Sequence, residues 1–192
     1  MARSPSMKVG AAFDGILVAS QQNAPWAYER LWRAFAPAVA SYLRLQGAFD
    51  PEDLTSEVFL GAFRAIGKFS GNEDQFRGWL FTIAHRRLTD ERRRAAVRPQ
   101  WATTPGDAHL DDRAGGDVED DALRDLDLGH VRQLCDRLVP AQREVLLLRL
   151  LADLTVEQVA EALQKTPGAV KQLQRRGLHA LRDVLQREGV PL

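Results

Sequence analysis

The sequence is poor in the residues that build disulfide frameworks, metal clusters and membrane spans. Cys135 is the one cysteine in 192 residues, which excludes an internal disulfide and a cysteine-cluster metal site. The four histidines include no i, i+4 pair of the kind that binds zinc from a helix. No apolar run reaches the roughly 20 residues that a membrane-spanning helix needs, and no signal peptide is recognisable. We therefore expect a cytoplasmic protein without membrane insertion, in which Cys135 is a small buried apolar residue.

Motifs of catalysis are also missing. The sequence has no glycine-rich phosphate loop, no His-Glu metal helix and no nucleophile elbow. The carboxylates of Asp50, Glu52 and Asp53 have no nearby histidine or second acidic cluster that would complete a metal site. We expect no enzyme activity, no catalytic residues, no metal and no cofactor.

The net charge is zero, but the charges are unevenly distributed. Residues 1–94 carry 13 basic and 10 acidic side chains (+3), residues 95–140 carry 5 and 10 (−5), and residues 141–192 carry 8 and 6 (+2). The acidic middle, rich in Pro, Gly and Asp, is typical of a flexible linker. We predict an N-terminal extension (1–10), a first domain (11–97), a flexible acidic linker (98–119) and a second domain (120–192).

Helical periodicity is present in both domains, whereas strand-like alternation is absent, so we predict an all-α fold of two small domains. Pro37 should kink or split the helix that contains it. The predicted helices of the first domain cover 12–22, 26–45, 51–68 and a stretch from Trp79 into the arginines, with a turn-rich loop over 69–75.

The second domain contains the signature of a helix-turn-helix. After an apolar stripe (Leu123, Leu126, Val131, Leu134, Leu138) and a helix over 141–152, Thr155 and Gln158 form a capping box. Thr166-Pro167 then predicts a second cap with proline at the first helical position. The second helix of such a motif enters the DNA major groove, and its outer positions here are rich in Lys, Arg and Gln. The alternative is an ordinary helical hairpin with a solvated charged face.

Two further segments leave their function open. In the helix over 51–68, acidic residues lie in the first half and basic residues in the second, which suits either dipole balancing on a solvated face or docking of a partner helix. The segment FRGWLFTIAHRRLTDERRR (76–94) combines aromatics with a run of arginines. Phe76 there is either a hydrophobic staple or a stacking surface for single-stranded nucleic acid.

Three segments together resemble the extracytoplasmic-function sigma factors of bacterial RNA polymerase (sigma-70 family, group 4). DPEDLTSEVFLGAFRAIGKF resembles the family's polymerase-binding helix, and FRGWLFTIAHRRLTDERRR resembles its segment that melts and reads the promoter −10 element. LVPAQREVLLLRLLADLTVEQVAEALQKTPGAVKQLQRRGLHALR resembles its −35-reading domain. The order and spacing are those of the family, from about residue 11 to 188.

The resemblance implies a partner and a role for each matching position. Core RNA polymerase would bind through its clamp helices and flap, and an anti-sigma protein often covers these surfaces in the family. The positions that match polymerase binding are Asp53, Leu54, Glu57, Leu60 and Arg64. The loop 70–76 matches the loop that captures a flipped base, and the positions implied in −10 binding are Asn72, Phe76, Arg77, Trp79, His85, Arg86, Arg87, Arg92, Arg93 and Arg94. Those implied in −35 binding are Thr166, Gly168, Ala169, Lys171, Gln172, Arg175 and Arg176.

The sequence departs from the family pattern at three places. Arg86 stands where the family usually has an asparagine that contacts the flipped base, Gln172-Leu173 replaces a common serine-arginine, and Asp153 replaces a glycine before the turn. The other reading of the whole chain is a stand-alone helix-turn-helix regulator whose first domain senses a ligand or dimerises.

Overall fold

The computed structural model describes residues 9–97, 129 and 131–187. All regular structure in these residues is helical, which confirms the predicted fold class. The predicted linker and the apolar positions Leu123 and Leu126 lie outside the described residues. Within the described part, no helix combines the length and the apolar character needed to cross a bilayer.

Helices α1 to α4 form the first domain. A 3-10 turn (Gly10–Ala12) leads into α1 (Phe13–Gln21), which is followed by α2 (Pro25–Leu45), α3 (Pro51–Ala65) with a 3-10 extension (Ile66–Lys68), and α4 (Glu73–Val97). The core is apolar, with aliphatic side chains packed around several aromatic rings. Its largest fully buried side chains include Phe35, Tyr42, Phe59, Phe76 and Phe81.

The α2 helix is continuous through Pro37, so the predicted split is wrong. Proline removes one backbone hydrogen bond from a helix interior. Pro37 lies on the exposed side of α2, where water can hydrogen-bond the carbonyl that loses its donor. Buried neighbours on the opposite side, Phe35 and Val39, hold both halves of α2 against the core.

The second domain contains the described helical residues 131–136 (α5), α6 (Pro140–Leu150), α7 (Val156–Ala162) and α8 (Pro167–Arg187). Cys135 is only 6% exposed, as predicted, and burial raises the pKa of its thiol. Gly177 lets α8 approach α6 closely, because a Cβ at that position would lie 2.8 Å from Leu146 Cδ1.

The helix-turn-helix forms as predicted. In the capping box, the Thr155 hydroxyl accepts from the Gln158 backbone N–H at 3.2 Å, and Gln158 Oε1 accepts from the Thr155 N–H at 2.8 Å. The Thr166 hydroxyl accepts from the Ala169 N–H at 3.2 Å, with Pro167 in the first position of α8. Between α7 and α8, Gln164 takes a left-handed conformation (φ 53°) that reverses the chain.

Candidate polymerase-binding and nucleic-acid-binding surfaces

The α4 helix begins earlier than its sequence suggested. Asn72 Oδ1 accepts from the Gln75 backbone N–H and Gln75 Oε1 accepts from the Asn72 N–H, both at 2.9 Å. This reciprocal cap satisfies two backbone donors that the helix start would otherwise leave unpaired. The loop predicted over 70–76 is therefore shorter, since residues 73–76 are already helical. The spacing Asn-x-x-Gln was the signal that sequence reasoning overlooked.

Phe76 is fully buried, so of the two roles that the sequence left open the structure contradicts the exposed stacking surface and favours apolar packing at the start of the helix. Its ring lies 5.4 to 5.6 Å from the rings of Phe13, Phe35, Phe69 and Trp79. These centroid distances are typical of favourable aromatic pairs. Through these contacts Phe76 packs the start of α4 against α1 and α2. Asn72 and half-buried Trp79 remain accessible near this end of α4.

Arg77 is also buried, which contradicts an open, DNA-facing placement. Its Nη2 donates to Asp74 Oδ1 at 2.7 Å, and its Nη1 lies 3.3 Å from Asp153 Oδ2. Its Nε is buried without a hydrogen-bond partner among the described residues. Two carboxylates, one from each domain, thus surround the guanidinium.

His85 lies half-buried in the middle of α4. Its Nδ1 is 3.3 Å from the Tyr42 hydroxyl. Burial is the main cause that lowers the pKa of His85, against the opposing effect of the Glu144 carboxylate. The lowered pKa favours the neutral ring at neutral pH.

The remaining arginines of α4 differ in how they are held. Arg86, Arg93 and Arg94 are exposed. Arg87 Nη1 lies 3.9 Å from a Glu57 carboxylate oxygen. Arg92 donates to the carbonyl and the side chain of Gln46 and faces a glutamate of α6. Arg86 and Arg93 line an open cleft of about 320 Å³ between α4 and the end of α7.

The residues of α3 that were predicted to bind polymerase lie on one exposed side of the helix, with one exception. Asp53, Leu60 and Arg64 are exposed, and Glu57 is half-exposed. Leu54 is only 3% exposed, so its predicted contact with a partner is wrong and it belongs to the core. Trp32 of α2 was not singled out from the sequence. It is 38% exposed, and its ring packs on that of Phe59 of α3 with the ring centroids 4.7 Å apart.

The predicted −35 surface is open to solvent at the N-terminal end of α8. Ala169 is half-buried, and all other predicted contacts are exposed: Thr166, Gly168, Lys171, Gln172, Arg175 and Arg176. Leu173 packs against the core, which keeps the register of α8 despite the departure from the family. Such an exposed basic helix start suits insertion into a major groove.

A metal site has no support in the part of the chain that the structure describes. No group of three or more His, Cys, Asp or Glu side chains there is placed to hold a metal ion. The chemistry offered by the surfaces is that of binding: hydrogen-bond donors and positive charge on α4 and α8, and an acidic and apolar face on α3.

Comparisons with known proteins agree with this layout. Residues 31–98 match the model of Sigma-70 region 2, and residues 134–183 match that of Sigma-70, region 4. The chain belongs to the extracytoplasmic-function sigma factors of the sigma-70 family.

Curated relatives and a solved structure give the extent of the likeness. BldN of Streptomyces coelicolor is 34% identical over 83% of this chain, which spans 60% of the length of BldN. ShbA of Streptomyces griseus is 32% identical over 70% of this chain and 71% of its own length. SigD of Mycobacterium tuberculosis is 26% identical over 97% of this chain and 90% of its own. CnrH, solved in complex with the cytosolic domain of CnrY, shares the fold with a TM-score of 0.65 at 21% identity. The match covers 92% of this chain and 99% of the CnrH chain.

Proposed function

We propose that this chain binds core RNA polymerase and directs promoter-specific initiation, by melting and reading the −10 element and binding the −35 element. The observation that carries the proposal is the pairing of a region 2 and a region 4 in family order on one chain. The protein contributes binding and positioning and no chemical step of its own. It acts in the cytoplasm, where polymerase and chromosome are found.

The docking surface is the exposed side of α3. Asp53 and Glu57 present negative charge, Leu60 presents an apolar side chain that is 51% exposed, and Arg64 adds a cation at the C-terminal end. A mixed acidic and apolar face is suited to a helical partner with a basic rim, because charge complementarity sets orientation and association rate. The clamp helices of the largest polymerase subunit are the partner that the family resemblance implies.

Promoter contacts are divided between the two domains. In the first domain, Asn72, which caps α4, and Trp79 are candidates for holding unstacked bases, while Arg86, Arg93 and Arg94 follow phosphates. On α8, Arg175 and Arg176 bind phosphates or guanine edges, and Gln172 pairs with adenine. Neither domain needs to bind tightly by itself, since the tether converts the second contact into an intramolecular one. An anti-sigma protein is a further partner that the family resemblance implies.

In vitro transcription with purified core polymerase on a genomic library tests the proposal. The holoenzyme should initiate at defined sites, whereas the free protein should bind the same promoters weakly and in a salt-sensitive way. Tight, sequence-specific binding by the free protein would instead support a stand-alone regulator and overturn the proposal.

A charge reversal tests the docking surface separately. Glu57→Arg should reduce holoenzyme assembly in a pull-down with core polymerase, because it places a cation in the acidic face. Glu161→Arg, on the exposed side of α7, makes the same change of charge outside this face and is the matched control. Equal assembly by both variants would rule out the α3 surface.

A further inference from the structure

Phe49 is a highly exposed aromatic side chain in the short connection between α2 and α3 (residues 46–50). Its exposed fraction is 96%, above that of every other large apolar side chain in the described residues. A single apolar side chain on a protein surface is common and needs no explanation by itself. Phe49 stands apart because its backbone is held firmly and because it lies at the edge of the α3 docking surface.

The connection that carries Phe49 is fixed on both sides. Before it, Gly47 takes a left-handed conformation (φ 79°), and the Ala48 N–H donates to a carbonyl of α2 at 3.0 Å, which closes the end of that helix. After it, Asp50 Oδ1 accepts from the Asp53 N–H at 2.8 Å and caps α3. Phe49 is the single residue between these two caps, so little backbone entropy remains to be lost when a partner buries its ring.

A hydrogen bond to α4 places Phe49 at one end of the α3 docking surface. The Phe49 N–H donates to Glu91 Oε2 at 3.3 Å. One turn earlier on the same side of α4, Arg87 Nη1 lies 3.9 Å from a Glu57 carboxylate oxygen. The side of α4 that meets the middle of the docking surface at Glu57 therefore meets Phe49 just before the start of α3. Phe49, Asp53 and Glu57 follow one another along this side of α4 and form one continuous surface.

The charges around Phe49 indicate which kind of partner is suited to it. Asp50 and Asp53 are exposed beside it, and the half-buried Glu91 accepts from its backbone. Arg92, the next residue of α4, is already engaged by a backbone carbonyl of the first domain and a glutamate of α6. Nucleic acid is disfavoured here, because aromatics that stack on bases lie in positively charged grooves. A protein surface with an apolar pocket and a basic rim complements an aromatic ring among carboxylates.

We infer that Phe49 is an apolar anchor of the polymerase-docking surface, and that its ring enters an apolar pocket with a basic rim on core RNA polymerase. This inference rests on the proposed function and extends its docking surface beyond α3, to a residue outside the positions that the family resemblance implies. A firmly held aromatic side chain buries a large area at a small entropic cost, so it contributes strongly to an interface.

Competition for core polymerase measures the contribution of Phe49. A fluorescently labelled sample of the unmodified full chain is bound to limiting core polymerase, and unlabelled variants displace it. Phe49→Ala should need at least about tenfold more protein for half-displacement, as is typical when an anchoring aromatic is truncated. Phe49→Leu should need at most about threefold more, because leucine stays apolar and fills most of the same volume.

A matched control is a second exposed aromatic at the opposite end of the first domain. Trp26 is 54% exposed at the start of α2, and this part of α2 packs near the end of α3 through the rings of Tyr28 and Phe63. Trp26→Ala should displace the labelled chain as the unmodified protein does. An equal loss of affinity in Trp26→Ala and Phe49→Ala would overturn the assignment, because the effect would not depend on the docking surface.

Two further measurements test other partners for Phe49. When core polymerase is saturated with Phe49→Ala, initiation should reach the level of the unmodified holoenzyme, because the ring does not contact DNA. Lower initiation at saturation would overturn the assignment in favour of a promoter contact. The free chain should sediment identically with and without Phe49→Ala, and a dimer that the substitution dissociates would overturn it in favour of a second copy of this chain.

Failure of the anchor and failure of the proposed function give different results. If the unmodified chain did not bind core polymerase, the proposed function would fail and the anchor with it. If the unmodified chain bound and Phe49→Ala displaced it equally well, the anchor alone would be overturned. The assembly defect expected for Glu57→Arg would then still support docking through α3.

Discussion

The burial of Phe76 makes a quantitative prediction that separates a core residue from a DNA-stacking residue. The side chain is fully buried and lies against four aromatic rings. Truncating a buried phenylalanine to alanine costs about 3–5 kcal/mol, a large part of the roughly 5–15 kcal/mol that stabilises a domain. Phe76→Leu keeps most of the volume and should cost about 1.5 kcal/mol or less, plus the lost ring contacts.

Urea unfolding of the full chain measures these costs. Tryptophan fluorescence is a suitable signal, because three of the four tryptophans (Trp26, Trp32, Trp79) lie in the first domain. Phe49→Ala is the matched control: Phe49 is 96% exposed, so its loss should change the free energy of unfolding by less than about 0.5 kcal/mol.

Promoter opening then decides between the two roles of Phe76. Because the ring faces the core, Phe76→Leu should open promoters as the unmodified holoenzyme does, by permanganate footprinting at a temperature where both are folded. If Phe76→Ala left stability unchanged while promoter opening was lost, the ring would be a stacking surface and the reasoning from burial would be refuted.

Three other changes have defined outcomes. Arg175→Ala should weaken −35-dependent transcription roughly 5- to 150-fold, which corresponds to about 1–3 kcal/mol for the loss of a charge-assisted contact. Arg182 is exposed nearly two turns further along α8, so Arg182→Ala should change this transcription little. Equal effects of the two variants would contradict base or phosphate reading at the start of α8. Gly177→Ala should lower the free energy of unfolding by up to about 2 kcal/mol: the added methyl meets a leucine of α6 at 2.8 Å, and this overpacking costs about 1–3 kcal/mol, against a gain of about 0.5–1 kcal/mol for removing a glycine from a helix. Gly15→Ala, with open space around it, has the gain without the clash and should raise the free energy of unfolding by about 0.5–1 kcal/mol in urea titrations. Because the pKa of His85 is lowered in the folded chain, the unfolded chain takes up this proton at a higher pH. The contribution of His85 to stability is therefore present above its ordinary pKa of about 6.5 and is lost as the pH falls below that value. Between neutral and mildly acid pH the melting temperature of His85→Gln should fall less than that of the unmodified chain, and an equal fall in both would contradict this.

The sequence predicted the helices and the helix-turn-helix from local rules alone. Capping residues such as Thr155 and Thr166 act on backbone groups within three positions, so their effect is readable without knowledge of the fold. Apolar residues at helical spacing likewise mark the buried side of each helix. The sequence also located the candidate surfaces, because Arg175 and Arg176 on α8 and Glu57 on α3 occupy the outward positions between those apolar stripes.

Which residues on a helix are reached by a partner depended on tertiary packing. Phe76 and Leu54 are buried because helices distant in sequence meet there, and Phe76 itself packs against rings from α1 and α2. Helical spacing predicts which side of a helix is buried but not how wide that side is. Residues at its margin can be assigned as buried or exposed only when the positions of the neighbouring helices are known.

The hydrogen bonds between the two domains are the features that sequence rules are least able to predict. Arg77 and Asp153 are 76 positions apart, and Asp74 and Gln158 are 84 apart. Nothing in local propensity or periodicity relates such positions, because the pairing depends on how the two domains pack against each other. The sequence by itself determined that this chain is helical, has two domains and carries the motifs of a sigma factor. Only the tertiary structure decided that one side of the arginine-rich helix α4 packs against the second domain. The physical reason is local fit: Gly78 leaves room for the Gln158 side chain, and the Asp153 carboxylate reaches the buried Arg77 guanidinium.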